Sequence, residues 1–278
     1  MKNRFTALML CAVMWLGGFA GSAWAQGRDL DEVIKSGQIK VALYKEFAPF
    51  SDVSAGGIDV DLAKLLAERL GVKLEILWFS ADESMDDDLR NMVWRGTVLG
   101  YGPADVMLHV PIDATYTARN DKAMFFAPYY REKFAIARNV EKIDKLESLD
   151  VFRTQRIGVE VETYPDTVLL SADGGVYRNN IGHYKSAGEA LAAMKNGEVS
   201  AVMGMQSEME AGIAGTSGYA VGDVPLPLVN RRQWVIGLAV KAGNEKLAQS
   251  LQAAMNSIAE KGELKDIFKR HGVEYRAP

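Results

Sequence analysis

The stretch DVMLHVPIDATYTARNDKAMFFAPYY, residues 105–130, decides how this chain is read. It opens as an apolar, strand-like run (Val106, Met107, Leu108) and passes through a turn-prone region holding Thr115, Thr117 and Arg119. It then returns through Phe125 and Phe126 to Pro128-Tyr129-Tyr130. An arginine just past a strand, flanked by hydroxyls and followed by aromatics, can grip a planar anion with two parallel hydrogen bonds while ring faces cover the rest of a ligand. The plainer reading is a surface arginine between two core strands, its stem lying on apolar neighbours.

Upstream, QIKVALY (38–44) reads as a strand, KEFAPFSDVSAGG (45–57) as a loop and IDVDLAKLLAERLG (58–71) as a helix. Leu62, Leu65, Leu66 and Leu70 share one helical face, Asp59 is placed to cap the start, and Gly71 can end the helix in a left-handed conformation. VKLEILWF (72–79) returns as a strand, and strand–helix–strand with apolar runs predicts an α/β fold with a mainly parallel sheet. Between Ser80 and Ala104, Asp86-Asp87-Asp88 lacks the alternating ligands of a calcium loop and is expected to cap a helix beginning near Leu89. Downstream, REKFAIARN (131–139) reads as a crossing strand, KIDKLESLD (142–150) as a linker helix, and RIGVEVETYPD (156–166) as a strand and turn. SAGEALAAMKNGE (186–198) is a helix opened by a Ser186–Glu189 capping box, and VSAVMGM (199–205) the next strand. WVIGLAV (234–240) crosses back, and two further helices follow, the first with Leu247, Leu251, Met255 and Ile258 on one side.

Two motifs carry a resemblance. Asp105, Arg119 and Pro128-Tyr129-Tyr130 stand in the order and spacing found in the periplasmic solute-binding proteins of family three, receptors of ABC-type importers for polar amino acids and similar solutes. That family's "GFDxDLA" is similar to Gly57-Ile58-Asp59-Val60-Asp61-Leu62-Ala63 here. The resemblance implies a two-lobed periplasmic-binding-protein fold: 26–131 as the first lobe, 132–234 as the second, and 235–278 returning to the first. It implies a hinge that closes on a small-molecule solute, an inner-membrane ABC permease as partner, and a monomer. Arg119 then matches the family's ligand-carboxylate arginine, Thr163 a hydroxyl residue meeting the same carboxylate, and Phe47 an aromatic that stacks on the ligand.

Departures from the pattern shape the ligand expectation. Met205 stands where amino-acid binders carry the Asp for the ligand's ammonium, and Tyr44 where receptors for basic amino acids use another acid. His109 and Val110 replace the usual hydroxyl pair, and Tyr116 the usual Thr three before Arg119, with Thr115 beside it. A buried ammonium without a carboxylate partner costs several kcal/mol. The expectation is therefore a carboxylate or other anion without an amino group, or a larger, partly aromatic solute held by Phe47, Tyr44 and Tyr116; Glu160, Glu162 and Asp113 are the acids that could act from another direction. A narrower resemblance, carried by MDDDLRNMVWRG (85–96) and GPADVMLHVP (102–111), is to the solute-binding-like accessory proteins of quinoprotein methanol and alcohol dehydrogenases. It implies such a periplasmic dehydrogenase as partner.

Composition sets the setting. Lys2 and Arg4, an apolar core from Ala7 to Phe19, and Ala23-Trp24-Ala25 read as an export signal cleaved after Ala25, hence a periplasmic protein. Its apolar run is short for a membrane span. Without Lys2 and Arg4, 30 of the 32 basic residues remain against 36 acidic ones, a net charge of −6 that attracts neither nucleic acid nor anionic lipid. Cys11, the one cysteine, lies in the signal, so disulfides and thiolate chemistry are excluded from the mature chain. His109, His183 and His271 show no metal-ligand spacing, and GxSxG, phosphate-loop and dinucleotide motifs are missing. No cofactor or metal is expected, and a binding protein rather than an enzyme. The enzyme alternative, a resemblance to the cyclohexadienyl dehydratases of this fold, would use Glu160 or Glu162 as its acid.

Overall fold

The computed structural model describes residues 28–230 and 232–278; the expected export signal, 1–25, with Cys11, lies outside the described residues. Apolar runs bounded by turn residues form the strands. After α1 (Leu30–Ser36), β1 (Gln38–Tyr44) leads into a small hairpin of β2 (Glu46–Phe47) and β3 (Ser51–Asp52). Helix α2 (Ile58–Leu70) connects to β4 (Lys73–Phe79), which lies parallel to β1. Then come α3 (Met85–Leu89), running on through a widened turn at Arg90–Trp94, β5 (Val106–Pro111), parallel to β1, and α4 (Ala114–Arg119).

The long β6 (Ala123–Asn139) joins the two halves. The second half contains β7 (Ile157–Glu160), α5 (Tyr164–Ser171), β8 (Ile181–Tyr184), α6 (Ala187–Lys195), β9 (Ala201–Met205), α7 (Gln206–Ile213), β10 (Tyr219–Asp223) and α8 (Pro227–Asn230). Strand β11 (Gln233–Lys241) returns the chain, and α9 (Glu245–Glu260) and α10 (Glu263–Arg270) end it on the first half. The sheet order is β4-β1-β5-β11-β6-β9-β7-β8, with β10 also on β6. From Ala123 to Lys133, β6 pairs with β11; from Phe134 onward it pairs with β9 and β10. One strand thus belongs to both lobes, and the β6–β11 pair spans the gap between them.

Each lobe packs helices on both sheet faces. In the first, Ile39, Val41, Leu66, Leu251 and Phe268 fill one face, and Phe79, Leu89, Met92 and Met107 the other. In the second, Ile136, Phe152, Ile157 and Leu169 oppose Leu191, Met194, Val199 and Met209. The expected stripe of α9 (Leu247, Leu251, Met255, Ile258) is buried, each side chain contributing roughly 1.5–3 kcal/mol.

Three local expectations differ from the structure. Asp59 does not cap α2: Gly57 holds that position, and Asp59 is 1% exposed, accepting a hydrogen bond from the Tyr129 hydroxyl at 2.7 Å and lying 3.2 Å from His109 Nδ1. Glycine is required at 57, because a Cβ there would sit 2.2 Å from the Phe50 carbonyl oxygen, with φ at 148°. The aspartate run lies inside the first turn of α3 rather than before it, where its charges favour the helix dipole, and Ser84 is the cap. Residues 142–150 form no α-helix; one turn of 3-10 helix at Leu149–Arg153 follows an irregular link.

Candidate functional site

Between the lobes lies a cavity of about 750 Å³. The first lobe contributes its β2–β3 hairpin, through Glu46, Phe47, Ala48, Pro49 and Asp52. The joining strands contribute Phe134 and Trp234, whose ring centres are 5.0 Å apart, and Tyr164 extends this aromatic wall 5.1 Å from Phe134. Everything else comes from the ends of β7 and β9, the helices α5 and α7 that follow them, and the start of α6, which follows β8. Backbone groups and loops converge at the carboxyl ends of parallel strands, which is where open α/β sheets hold ligands.

Among the described residues four carboxylates line this space, Glu46, Asp52, Glu160 and Glu208, and no lysine or arginine does. Two of them occupy helix starts. Glu160 Oε2 accepts from the Ala187 amide at 3.0 Å, at the first residue of α6, and Glu208 Oε2 accepts from the Met205 amide at 3.0 Å, just before α7. Burial raises the pKa of Glu160 against that amide bond. Burial also pushes Glu208 up to about 8, with Glu160 and Glu132 adding repulsion against the Met205 bond. Glu132, fully buried on β6 behind the cavity, is raised by burial although Ser207 Oγ and the Lys133 amide donate to it.

A second cavity of about 710 Å³ lies in the first lobe and shares Glu46 and Phe47 with the cleft. Tyr44, His109, Asp88 and the segment Ser80–Met85 are among the residues that complete it. Here the Tyr44 hydroxyl donates to Asp88 at 2.8 Å, and burial together with that carboxylate raises the tyrosine pKa far above its usual range. His109, at φ 61°, packs edge-on against Phe47 and Phe50 with centroids 4.6 and 4.2 Å away. Histidine is among the side chains that tolerate this left-handed backbone region.

The residues singled out in the sequence therefore separate. Phe47, Thr163 and Met205 line the interlobe cleft; Thr163 also caps α5, its hydroxyl accepting from the Asp166 amide at 3.4 Å while donating to the Glu160 carbonyl at 2.7 Å. Tyr44 and His109 line the first-lobe cavity with Phe47. Thr115, Tyr116 and Arg119 sit on α4 and line neither. Arg119 is the principal correction: its side chain is 57% exposed, rests 5.2 Å over the Tyr116 ring and pairs with Asp86 at 3.3 Å. The segment 80–104 brings that aspartate to it, and the Tyr116 hydroxyl anchors the contact by donating to the Met85 carbonyl at 2.9 Å. Glu160 faces the cleft, whereas Glu162 is exposed and Asp113 caps α4. Among the described residues no group of three or more His, Cys, Asp or Glu could hold a metal ion, and no helix is long and apolar enough to cross a membrane.

Sequence reading missed Glu208, Trp234, Phe134 and the hairpin acids. The signal for Glu208 was its position three residues after Met205, the spacing of a reciprocal cap without the usual capping hydroxyl.

No family model matches the chain. A protein named "probable histidine-binding protein" from Neisseria gonorrhoeae is 23% identical over 280 residues, 98% of this chain and 96% of its own. A "probable ABC transporter arginine-binding protein" from Chlamydia trachomatis is 22% identical over 78% of this chain and 77% of its own. A cyclohexadienyl dehydratase from Pseudomonas aeruginosa matches at 26% over 47% of each chain. Among solved structures, an ancestral cationic amino-acid solute-binding protein superposes with a TM-score of 0.69 at 20% identity, over 87% of this chain and 99% of that one. The fold is that of the two-lobed periplasmic binding proteins. Amino-acid receptors of ABC transporters are thus prominent among what this chain is similar to, and they are binding proteins.

Proposed function

We propose that this chain is a periplasmic receptor of an ABC-type importer, capturing a small, polar, amino-acid-like solute between its lobes and presenting it to an inner-membrane permease. The observation that carries this reading is the composition of the cleft: residues of both lobes and of both joining strands line one cavity of about 750 Å³. A solute seated there touches both lobes only when they approach, so its contacts favour the closed form. Phe47, Phe134, Tyr164 and Trp234 supply flat apolar walls for its body. Thr163, at the positive end of α5, receives a carboxylate on the solute, the role the family resemblance gives it. Relatives named for binding histidine and arginine support the choice of solute class.

The test is a thermal-shift screen of amino acids, amines and organic acids, followed by titration of hits against Phe47→Ala and Thr163→Ala. Ligands that bind only the folded protein raise its melting temperature by mass action. The reading expects hits whose affinity falls at least tenfold in both variants. Hits that bind both variants as tightly as the parent chain would place the solute elsewhere.

A further inference from the structure

Helix starts in a cleft ordinarily attract anions, because their unpaired amides and dipoles present positive potential. In this cleft the starts of α6 and α7 are already taken. Glu160 accepts from the Ala187 amide and Glu208 from the Met205 amide, so the protein's own carboxylates fill the places an anionic ligand would use. Beyond them the lining is acidic or apolar for the most part: Glu46 and Asp52 face them from the first lobe, and among the described residues no lysine or arginine lines it. Arg232 stacks on the Tyr164 ring at 4.3 Å, exposed, and Arg276 is tied to Glu210 on α7. Another charged neighbour is Glu132, behind the cavity on β6 and bonded to Ser207.

Sequence reading found no acid at Met205 to meet a ligand's ammonium. The structure supplies one from the next turn: Glu208 projects from α7 back under Met205, into the space left by Gly204, where a Cβ would lie 3.2 Å from its carboxylate. We propose that Glu160 and Glu208 form a cation subsite that takes a protonated amine or amidine of the solute, and that occupancy of this subsite releases a proton from the pair to solvent. The proposal rests on the solute-binding reading above and specifies its charge. Burial, with the neighbouring charges of Glu160 and Glu132, disfavours the ionised form of Glu208 while no counter-charge is present. Glu208 therefore keeps its proton in the empty cleft, and the arriving cation replaces that proton, leaving a carboxylate–cation pair and one hydronium in bulk water. The aromatic wall adds favourable ring faces for the same positive charge.

The test is calorimetric titration with L-arginine, L-histidine, putrescine and choline against succinate and malate. It is run from pH 6 to 8.5 in phosphate and in Tris, whose different ionisation enthalpies count protons. Glu208→Gln keeps an acceptor for the Met205 amide and so preserves the start of α7. The expected result is binding by a cationic probe, with up to one proton released near pH 7 and affinity rising toward tenfold per pH unit below pH 8. In Glu208→Gln both the proton release and the pH dependence disappear and affinity falls at least tenfold, while Glu208→Asp retains them in part. Cation binding that is independent of pH and buffer, or succinate binding equally to both proteins, overturns the cation subsite while leaving a solute receptor. Silence from every probe of either charge overturns the receptor reading with it.

Discussion

Replacing Asp59 by alanine separates two accounts of what holds the first lobe against the cleft. Were Asp59 a helix cap, the change would cost about 1 kcal/mol and asparagine would restore it. In the structure Asp59 is buried, takes the Tyr129 hydroxyl at 2.7 Å and faces His109 Nδ1 at 3.2 Å. A hydrogen bond to a charged acceptor contributes roughly 1.5–3 kcal/mol, and a buried hydroxyl left unpaired costs roughly 1–3 kcal/mol. Asp59→Ala should therefore destabilise by about 3–5 kcal/mol, since it removes the Tyr129 bond and leaves both the Tyr129 hydroxyl and the His109 ring nitrogen without that carboxylate in the core. Urea unfolding followed by circular dichroism gives the difference from the midpoints when the slope is unchanged. Tyr129→Phe should cost about 1.5–3 kcal/mol, and the double variant less than the sum, because both changes remove the same bond. The effect reaches the cleft, since His109 supports Phe47 edge-on. An Asp59→Ala loss of about 1 kcal/mol or less, or full additivity with Tyr129→Phe, would refute this network.

Three further outcomes follow from the same geometry. Arg119→Ala should leave solute affinity unchanged in calorimetry and stability within about 1 kcal/mol, because Arg119 and Asp86 form an exposed surface ion pair; a large loss of affinity would return Arg119 to the site. Gly57→Ala should destabilise severely, through the 2.2 Å approach to the Phe50 carbonyl and the unfavourable φ, visible as a melting temperature well below the parent's. Glu208 titrates near 8 when folded, above its ordinary 4.5, so between those values the folded protein holds a proton that the unfolded chain has released. Stability of the empty protein should then fall as pH rises from about 4.5 toward 8, and melting curves should show a shallower fall in Glu208→Gln.

Much of the fold was legible because local periodicity and burial agree. QIKVALY, VKLEILWF and WVIGLAV became strands, and the leucine stripes of α2 and α9 face the core. The site was less legible because side-chain direction depends on distant partners. Asp59 looks like a cap locally, but Tyr129 and His109 reach it from 70 and 50 residues away. Arg119 follows a ligand-arginine pattern in spacing, yet Asp86, 33 residues earlier, holds it at the surface. Glu160 and Glu208 share a wall only because β7 and β9 are parallel neighbours, a pairing that no local window contains.

Small-angle scattering of the free and ligand-saturated protein, using the strongest hit from the screen, tests closure around the cleft most directly. The account predicts a smaller radius of gyration on saturation, with Phe47→Ala needing more ligand to reach it. A saturated protein whose scattering matches that of the free one would contradict capture between the lobes.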